Sequence, residues 1–260
     1  MNGYHYKIEN DSVRVLNGNA SAVLPKSSFD FGKTSQSPEL GFSIKSQLGN
    51  SSTLLNASVP TNFVYKIVNA DFCPSNIEQI NSISTKSKIK DRVKAVAELG
   101  GSLEYLDVEN SIFKNNLILI DSHLPQIMAE VVRVFYTSKL STIKDIVKYL
   151  EDTNPLNYDT AHSHKFYEYK IKRLLTDTAL GMMAATVWTG TYEATGGYLV
   201  VKENGDVLCY HIYNKNEFEN YLFANTKLET ASSDRHKFGS IYETKSGLFF
   251  KLNLQIRFMH

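Results

Sequence analysis

Cysteine is nearly absent: Cys73 and Cys209 are the only two in 260 residues, far apart and without paired spacing. That argues against a disulfide framework and against a structural zinc site, and fits a reducing compartment. Long apolar runs are missing too, with none approaching the roughly 20 residues needed to span a bilayer. The opening MNGYHYKIENDSVRVLNG has neither a basic n-region nor an apolar h-region, so no membrane association and a cytoplasmic location are expected. Net charge is small, with 28 basic against 27 acidic side chains giving +1. A nucleic-acid binder is often more basic, yet one basic face balanced by an acidic remainder gives the same sum. No charge block, low-complexity tract or internal repeat marks a disordered tail or a solenoid.

What is present is ordinary globular material, 42% apolar and 21% charged, enough for one large domain or two small ones. Tyr4 to Leu16 alternates loosely around Glu9-Asn10-Asp11-Ser12 and predicts a hairpin. Lys26 to Pro38 is polar and broken by Gly32 and Pro38, a loop or a poor strand. Leu40, Phe42 and Ile44 then alternate with Gly41, Ser43 and Lys45, which predicts a strand with an apolar and a polar face. Asn62 to Val68 predicts a second strand, Ile89 to Ala97 a helix stopped by Gly100-Gly101, and Asn116 to Ile120 a short apolar strand. Apolar residues at helical spacing follow in three groups: Leu124 to Phe135, Ile143 to Leu150, and Tyr167 to Leu175. From Gly197 the pattern returns to strands, GYLVV and VLCYHIY flanking the Asn-Gly turn of KENGD. Asn216 to Ala224 reads as a helix, and SIYE with LFFKLNLQIRF as a closing hairpin across Lys245 to Gly247. The order predicts an α+β fold: residues 1–120 around the SIKS strand, a helical region 121–185, and a β-hairpin-rich region 186–260, three parts that could form one continuous domain.

The chemistry-bearing candidate is Ser43-Ile44-Lys45. Serine and lysine share one strand face about 7 Å apart, the geometry of an acid-x-lysine nuclease half-site with serine in the acid's place. In metal-dependent phosphodiester cleavage, carboxylates hold Mg²⁺ while a lysine stabilises developing charge or positions the attacking water. A solvated lysine near a strand end has the same local sequence.

Read as a whole, PELGFSIKSQLGNSSTLLNASVPTNFVYKI, Pro38 to Ile67, resembles the signature segment of the HpaII family of type II restriction endonucleases. Thr195 to Thr230, RHKFGSIYE and KLNLQIRF are similar to that family's C-terminal region. The resemblance implies a PD-(D/E)XK-like nuclease core, either complete or cut short on its N-terminal side. It also implies Mg²⁺-dependent cleavage of double-stranded DNA at a short G·C-rich palindrome, CCGG for the namesake, and a companion DNA methyltransferase in a restriction-modification system. A twofold site suits a homodimer on DNA. Lys45 takes the catalytic lysine position, and Ser43 stands where most of that superfamily has Asp or Glu.

The carboxylates are harder to place. Glu39 is the nearest acid before the lysine, but a straight strand sets it about 20 Å away. A kink at Gly41 or a turn through Pro38-Glu39 would bring it closer, and Asp71 and Glu78 are candidates for a recruited ligand. Family members carry a longer N-terminal part before the signature, so a truncated, inactive DNA-binding remnant is the alternative reading. For DNA contact the polar tail after Lys45 offers Ser46 and Asn56 among others, and Ser233 to Lys237 offers Arg235, His236 and Lys237. Arginine bidentate to guanine suits a G·C site. Lys86, Lys88, Lys90, Arg92 and Lys94 form a second basic run, phosphate-contacting or solvated.

Overall fold

The computed structural model describes residues 5–9, 12–17, 20–24, 42–46, 52–192, 197–201, 206–211 and 214–259. In chain order these form β1 (His5–Glu9), β2 (Ser12–Asn17), β3 (Ala20–Leu24), β4 (Phe42–Ser46), β5 (Thr53–Leu55), β6 (Asn62–Val68), α1 (Pro74–Ser82), α2 (Lys88–Glu98), β7 (Ser102–Val108) and α3 (Ser111–Ile120). Three long helices follow, α4 (Leu124–Thr137), α5 (Ile143–Thr153) and α6 (Phe166–Ala179). The chain ends in β8 (Gly197–Val201), β9 (Val207–His211), α7 (Lys215–Ala224), β10 (Thr226–Leu228), α8 (Ser233–His236), β11 (Ile241–Thr244), β12 (Gly247–Asn253) and β13 (Ile256–Phe258). The expected α+β class is what is found, and among the described residues no helix is long and apolar enough to cross a membrane.

The described residues form four sheets. The first, in the order β11-β12-β6-β7, is antiparallel throughout. Its inner face packs on α4, whose Leu124, Ile127, Met128, Val131, Val132 and Phe135 are buried, and Tyr65 donates a hydrogen bond of 2.7 Å to the Ala129 carbonyl across that contact. An α-helix apolar around most of its circumference is a core helix, and here it carries β6, β7 and β12 on one side and α5 and α6 on others. The second sheet, in the order β4-β8-β9, has β4 parallel to β8 and β8 antiparallel to β9. A parallel pair needs a crossover connection, and the whole helical middle of the chain supplies it. Residues from Leu54 to Phe258 share a single buried cluster.

Helix α2 stops where the sequence supplies a glycine pair. After α2, Gly100 adopts φ +87, and the amides of Gly100 and Gly101 return to the carbonyls of Ala97 and Val96 at 3.0 and 2.9 Å. This is the left-handed helix stop that Gly permits without steric cost. The hairpins expected around residues 9–12, 201–207 and 244–247 are present, with Glu9↔Ser12, Val201↔Val207 and Thr244↔Gly247 in register.

Two expectations are corrected. Asn116 to Ile120 is not a strand but the end of α3. The Asn110 side chain accepts from the Phe113 amide at 3.0 Å, which nucleates a helix, and Phe113, Asn116 and Leu117 are buried at helical spacing while Ile118 and Leu119 are exposed. Ile44 does not join an apolar inner face. In the β4-β8 register it pairs with Leu199 and is 63% exposed, while half-buried Ser43 pairs with fully buried Tyr198. Paired residues of neighbouring strands point to the same side of the sheet, so β8 dictates the faces of β4. Leu40 and the Lys26 to Pro38 loop lie outside the described residues.

Candidate functional site

Lys45 lies on β4 in register with Val200, and Ser46 with Val201. The wall beside this strand is Tyr198, buried completely and packed on Phe218 of α7 with ring centroids 5.0 Å apart. Burial holds the Tyr198 phenol far above its ordinary pKa, and its hydroxyl has no hydrogen-bond partner among the described residues. Tyr198 also lines a small cavity of about 80 Å³ together with Thr176, Tyr192, Tyr210 and Lys215. A site of that size holds water, not a nucleotide.

Beside that cavity sits an acid that sequence patterning did not single out. Asp177 on α6 is only 1% exposed, and the Tyr192 hydroxyl donates to it at 2.8 Å. Burial raises its pKa, while the Tyr192 hydrogen bond and the positive charges of Arg173 and Lys215 pull it back down. The signal was available: Asp177 interrupts the stripe Leu174, Leu175, Ala179, where an unpaired carboxylate is costly.

The proposed metal ligands are not assembled by the described residues. Glu39 lies outside them. Asp71 is exposed in the connection between β6 and α1, and Glu78 is exposed on α1. No group of three or more His, Cys, Asp or Glu side chains able to hold a metal ion occurs among the described residues. His162 and His164 stand on an exposed loop with ring centroids 6.2 Å apart.

The candidate DNA-reading residues fall into two groups. Asn56 is exposed just beyond β5. Arg235 and His236 belong to α8, and Lys237 caps it in the left-handed conformation at φ 56. Arg235 and Lys237 are exposed, and His236 is half-buried with its pKa lowered by burial and by Arg235. This segment is held rigidly from below. Asn253 of β12 donates to the Asn62 side chain at 2.7 Å, and Asn62 donates to the His236 carbonyl at 2.9 Å and to Glu109 at 2.7 Å. Asn62, at the start of β6, is therefore a buried structural residue. A buried amide with its donors and acceptors satisfied fixes the chain it bonds to.

The second basic run meets the first. Lys88 at the start of α2 lies 3.3 Å from Asp234 of α8, so Lys86 and Lys88 stand beside the 233–237 segment. Arg92 does not share that role. It is 8% exposed and spends its guanidinium on the carbonyls of Asn81, Ile83 and Gly239.

Comparison with known proteins identifies the family. The family model described as HpaII restriction endonuclease matches residues 28–258. The type II restriction enzyme HpaII of Haemophilus parainfluenzae is 53% identical over 227 residues, covering 87% of this chain and 62% of that enzyme. The chain thus spans somewhat less than two-thirds of that relative's length. No solved structure matches. With a family model spanning most of its length and half its residues identical to a curated member across the aligned region, the chain belongs to the HpaII restriction endonuclease family.

Proposed function

We propose that the protein is a type II restriction endonuclease that hydrolyses phosphodiester bonds of double-stranded DNA at a short G·C-rich palindrome such as CCGG. The observation that carries this reading is family membership over residues 28–258. Lys45, on the strand paired with β8, is the proposed catalytic residue, with its ammonium neutralising charge that develops on the scissile phosphate. Ser43, half-buried two residues earlier on the same strand, occupies the acid position and donates or accepts a hydrogen bond there without carrying charge. The nuclease core is proposed to be of the PD-(D/E)XK kind.

Mg²⁺ is the proposed cofactor, and it would polarise the phosphate when bound. The described residues alone do not make up its site. Glu39 is the proposed ligand outside them and Asp71 the candidate within them, and no step is derived through the metal. Ser46, Asn56, Arg235, His236 and Lys237 are proposed to contact DNA, with a homodimer on the palindrome, a companion methyltransferase and a cytoplasmic location as the setting. The alternative of an inactive remnant finds no support in family or fold.

Digestion of an unmethylated plasmid tests the reading. With Mg²⁺ the wild type is expected to give discrete fragments, and Lys45→Ala to give none while still retarding the same DNA on a gel. Equal cutting by the variant would remove Lys45 from the mechanism. Absence of any wild-type cutting, with DNA binding retained, would restore the remnant.

A further inference from the structure

We infer that a lysine-lined cleft between the start of α2 and the segment 230–234 is a second contact for the DNA backbone, separate from the Lys45 strand. The inference rests on the proposed function for its occupant. The cleft has a volume of about 390 Å³ and is lined by residues 86–90 on one wall and 230–234 on the other. Its lining is cationic and hydroxylic. Lys86 has no hydrogen-bond or ion-pair partner among the described residues, and Lys88 meets only Asp234, itself 89% exposed. Ser233 is 6% exposed, and its hydroxyl is buried without a hydrogen-bond partner among the described residues.

An orphaned buried hydroxyl is costly unless something supplies its partner. A phosphate oxygen would accept from it, and from the ammonium groups of Lys86 and Lys88. Lys90 plays a different part. Its ammonium donates to the Ser138 carbonyl at 2.9 Å and lies 4.5 Å from the Phe135 ring centroid, so it fixes the wall and does not reach for a ligand. Asp234 stands in as a counter-ion that holds Lys88 in place until a phosphate displaces it. The occupant is assigned as duplex DNA because the same short segment continues into exposed Arg235 and Lys237, which extends the positive surface beyond the cleft. A phosphate contact of this kind positions the duplex without reading its sequence.

The test is fluorescence anisotropy of two labelled duplexes, one with CCGG and one scrambled, over a salt series without Mg²⁺. The full-length wild type is compared with Lys86→Ala/Lys88→Ala, Ser233→Ala and Asp234→Asn, each checked for an unchanged melting curve. The double variant should weaken both duplexes equally and flatten the log-log salt slope by about 1 to 2. If affinities converge near 1 M salt, that is roughly 8-fold at 0.1 M for each phosphate no longer neutralised. Asp234→Asn should tighten both duplexes. Wild-type affinity and slope in the double variant would overturn the cleft while leaving the proposed function standing. Weakening confined to the CCGG duplex would make these lysines base readers and overturn a backbone role. Displacement by inorganic phosphate beyond its ionic-strength effect would assign the cleft to a free anion instead. Failure of the wild type to bind either duplex would overturn the proposed function and this inference together.

Discussion

Arg92 separates a structural cation from a DNA-binding one, because it sits in a basic run whose Lys86 and Lys94 are exposed. Its guanidinium donates to Ile83 O at 3.1 and 2.9 Å, to Gly239 O at 2.6 Å, to Asn81 O at 2.5 Å and to Ser240 Oγ at 2.9 Å. These bonds tie the α1-α2 turn to the strand entry at 239–240. Arg92→Ala strands three backbone carbonyls in a largely buried site, at about 1 to 1.5 kcal/mol each when water reaches them in part, and thus about 3 to 5 kcal/mol in all. With an unfolding entropy of about 2.1 cal/mol/K per residue over 260 residues, the melting temperature should fall by about 5 to 9 °C. Arg92→Lys keeps the charge but not the planar fork, and should recover less than half of the loss. Thermal and urea denaturation measure the stability, and anisotropy with a salt series measures the DNA affinity of the folded fraction. An unchanged melting temperature combined with a shallower salt slope would refute the structural assignment and return Arg92 to the DNA-contacting run.

Gly239 is a second point of support for the same junction. Its φ of +83 is disfavoured for other residues, and an added Cβ would lie 2.1 Å from Ile89 Cδ1 in the core. Gly239→Ala is expected to cost about 2 to 4 kcal/mol, from backbone strain plus overpacking, read as a lower urea midpoint at unchanged slope. Asp177 predicts a pH dependence with a definite sign. Burial raises its folded pKa above the unfolded value, so the folded state holds its proton more tightly. The penalty for ionising it is absent below the ordinary carboxylate pKa, grows as pH rises toward the raised value, and is complete above it. Asp177→Asn, which still accepts from Tyr192, should therefore be at least as stable as wild type at neutral pH, with the difference closing in acid. Destabilisation by Asp177→Asn at pH 7 in urea titrations would show that the carboxylate charge is needed in the fold.

Much of the architecture was legible because local chemistry and tertiary demand agree. Gly100-Gly101 and the apolar spacing of α4, α5 and α6 specify their own geometry within a few residues. Disagreements arose where a neighbour decides. Strand β7 is hard to read locally because Ser102 to Val108 is an edge strand, with Leu106 exposed and polar residues on the outer face. Residues 116–120 look like a strand by composition, yet the Asn110 cap had already committed the chain to a helix. LFFKLNLQIRF reads as one strand but divides at Leu254-Gln255, where the chain leaves the β6 sheet for the β5 sheet.

The sequence by itself determined the family, the α+β class and the strand that carries Ser43 and Lys45, since periodicity, turn residues and a long family-like segment are properties of the chain in one dimension. Only the tertiary structure decided which polar residues are free to act. Arg92 looks like a DNA contact in a linear reading, but its guanidinium is consumed by hydrogen bonds to the carbonyls of Asn81, Ile83 and Gly239, the last of these 147 positions away. Folding also set the start of α2 against α8, so that Lys86 and Lys88 stand beside the 233–237 segment nearly 150 positions away in the chain. Hydrogen-bond satisfaction is a three-dimensional constraint, and it sorts side chains that charge and polarity alone leave equivalent.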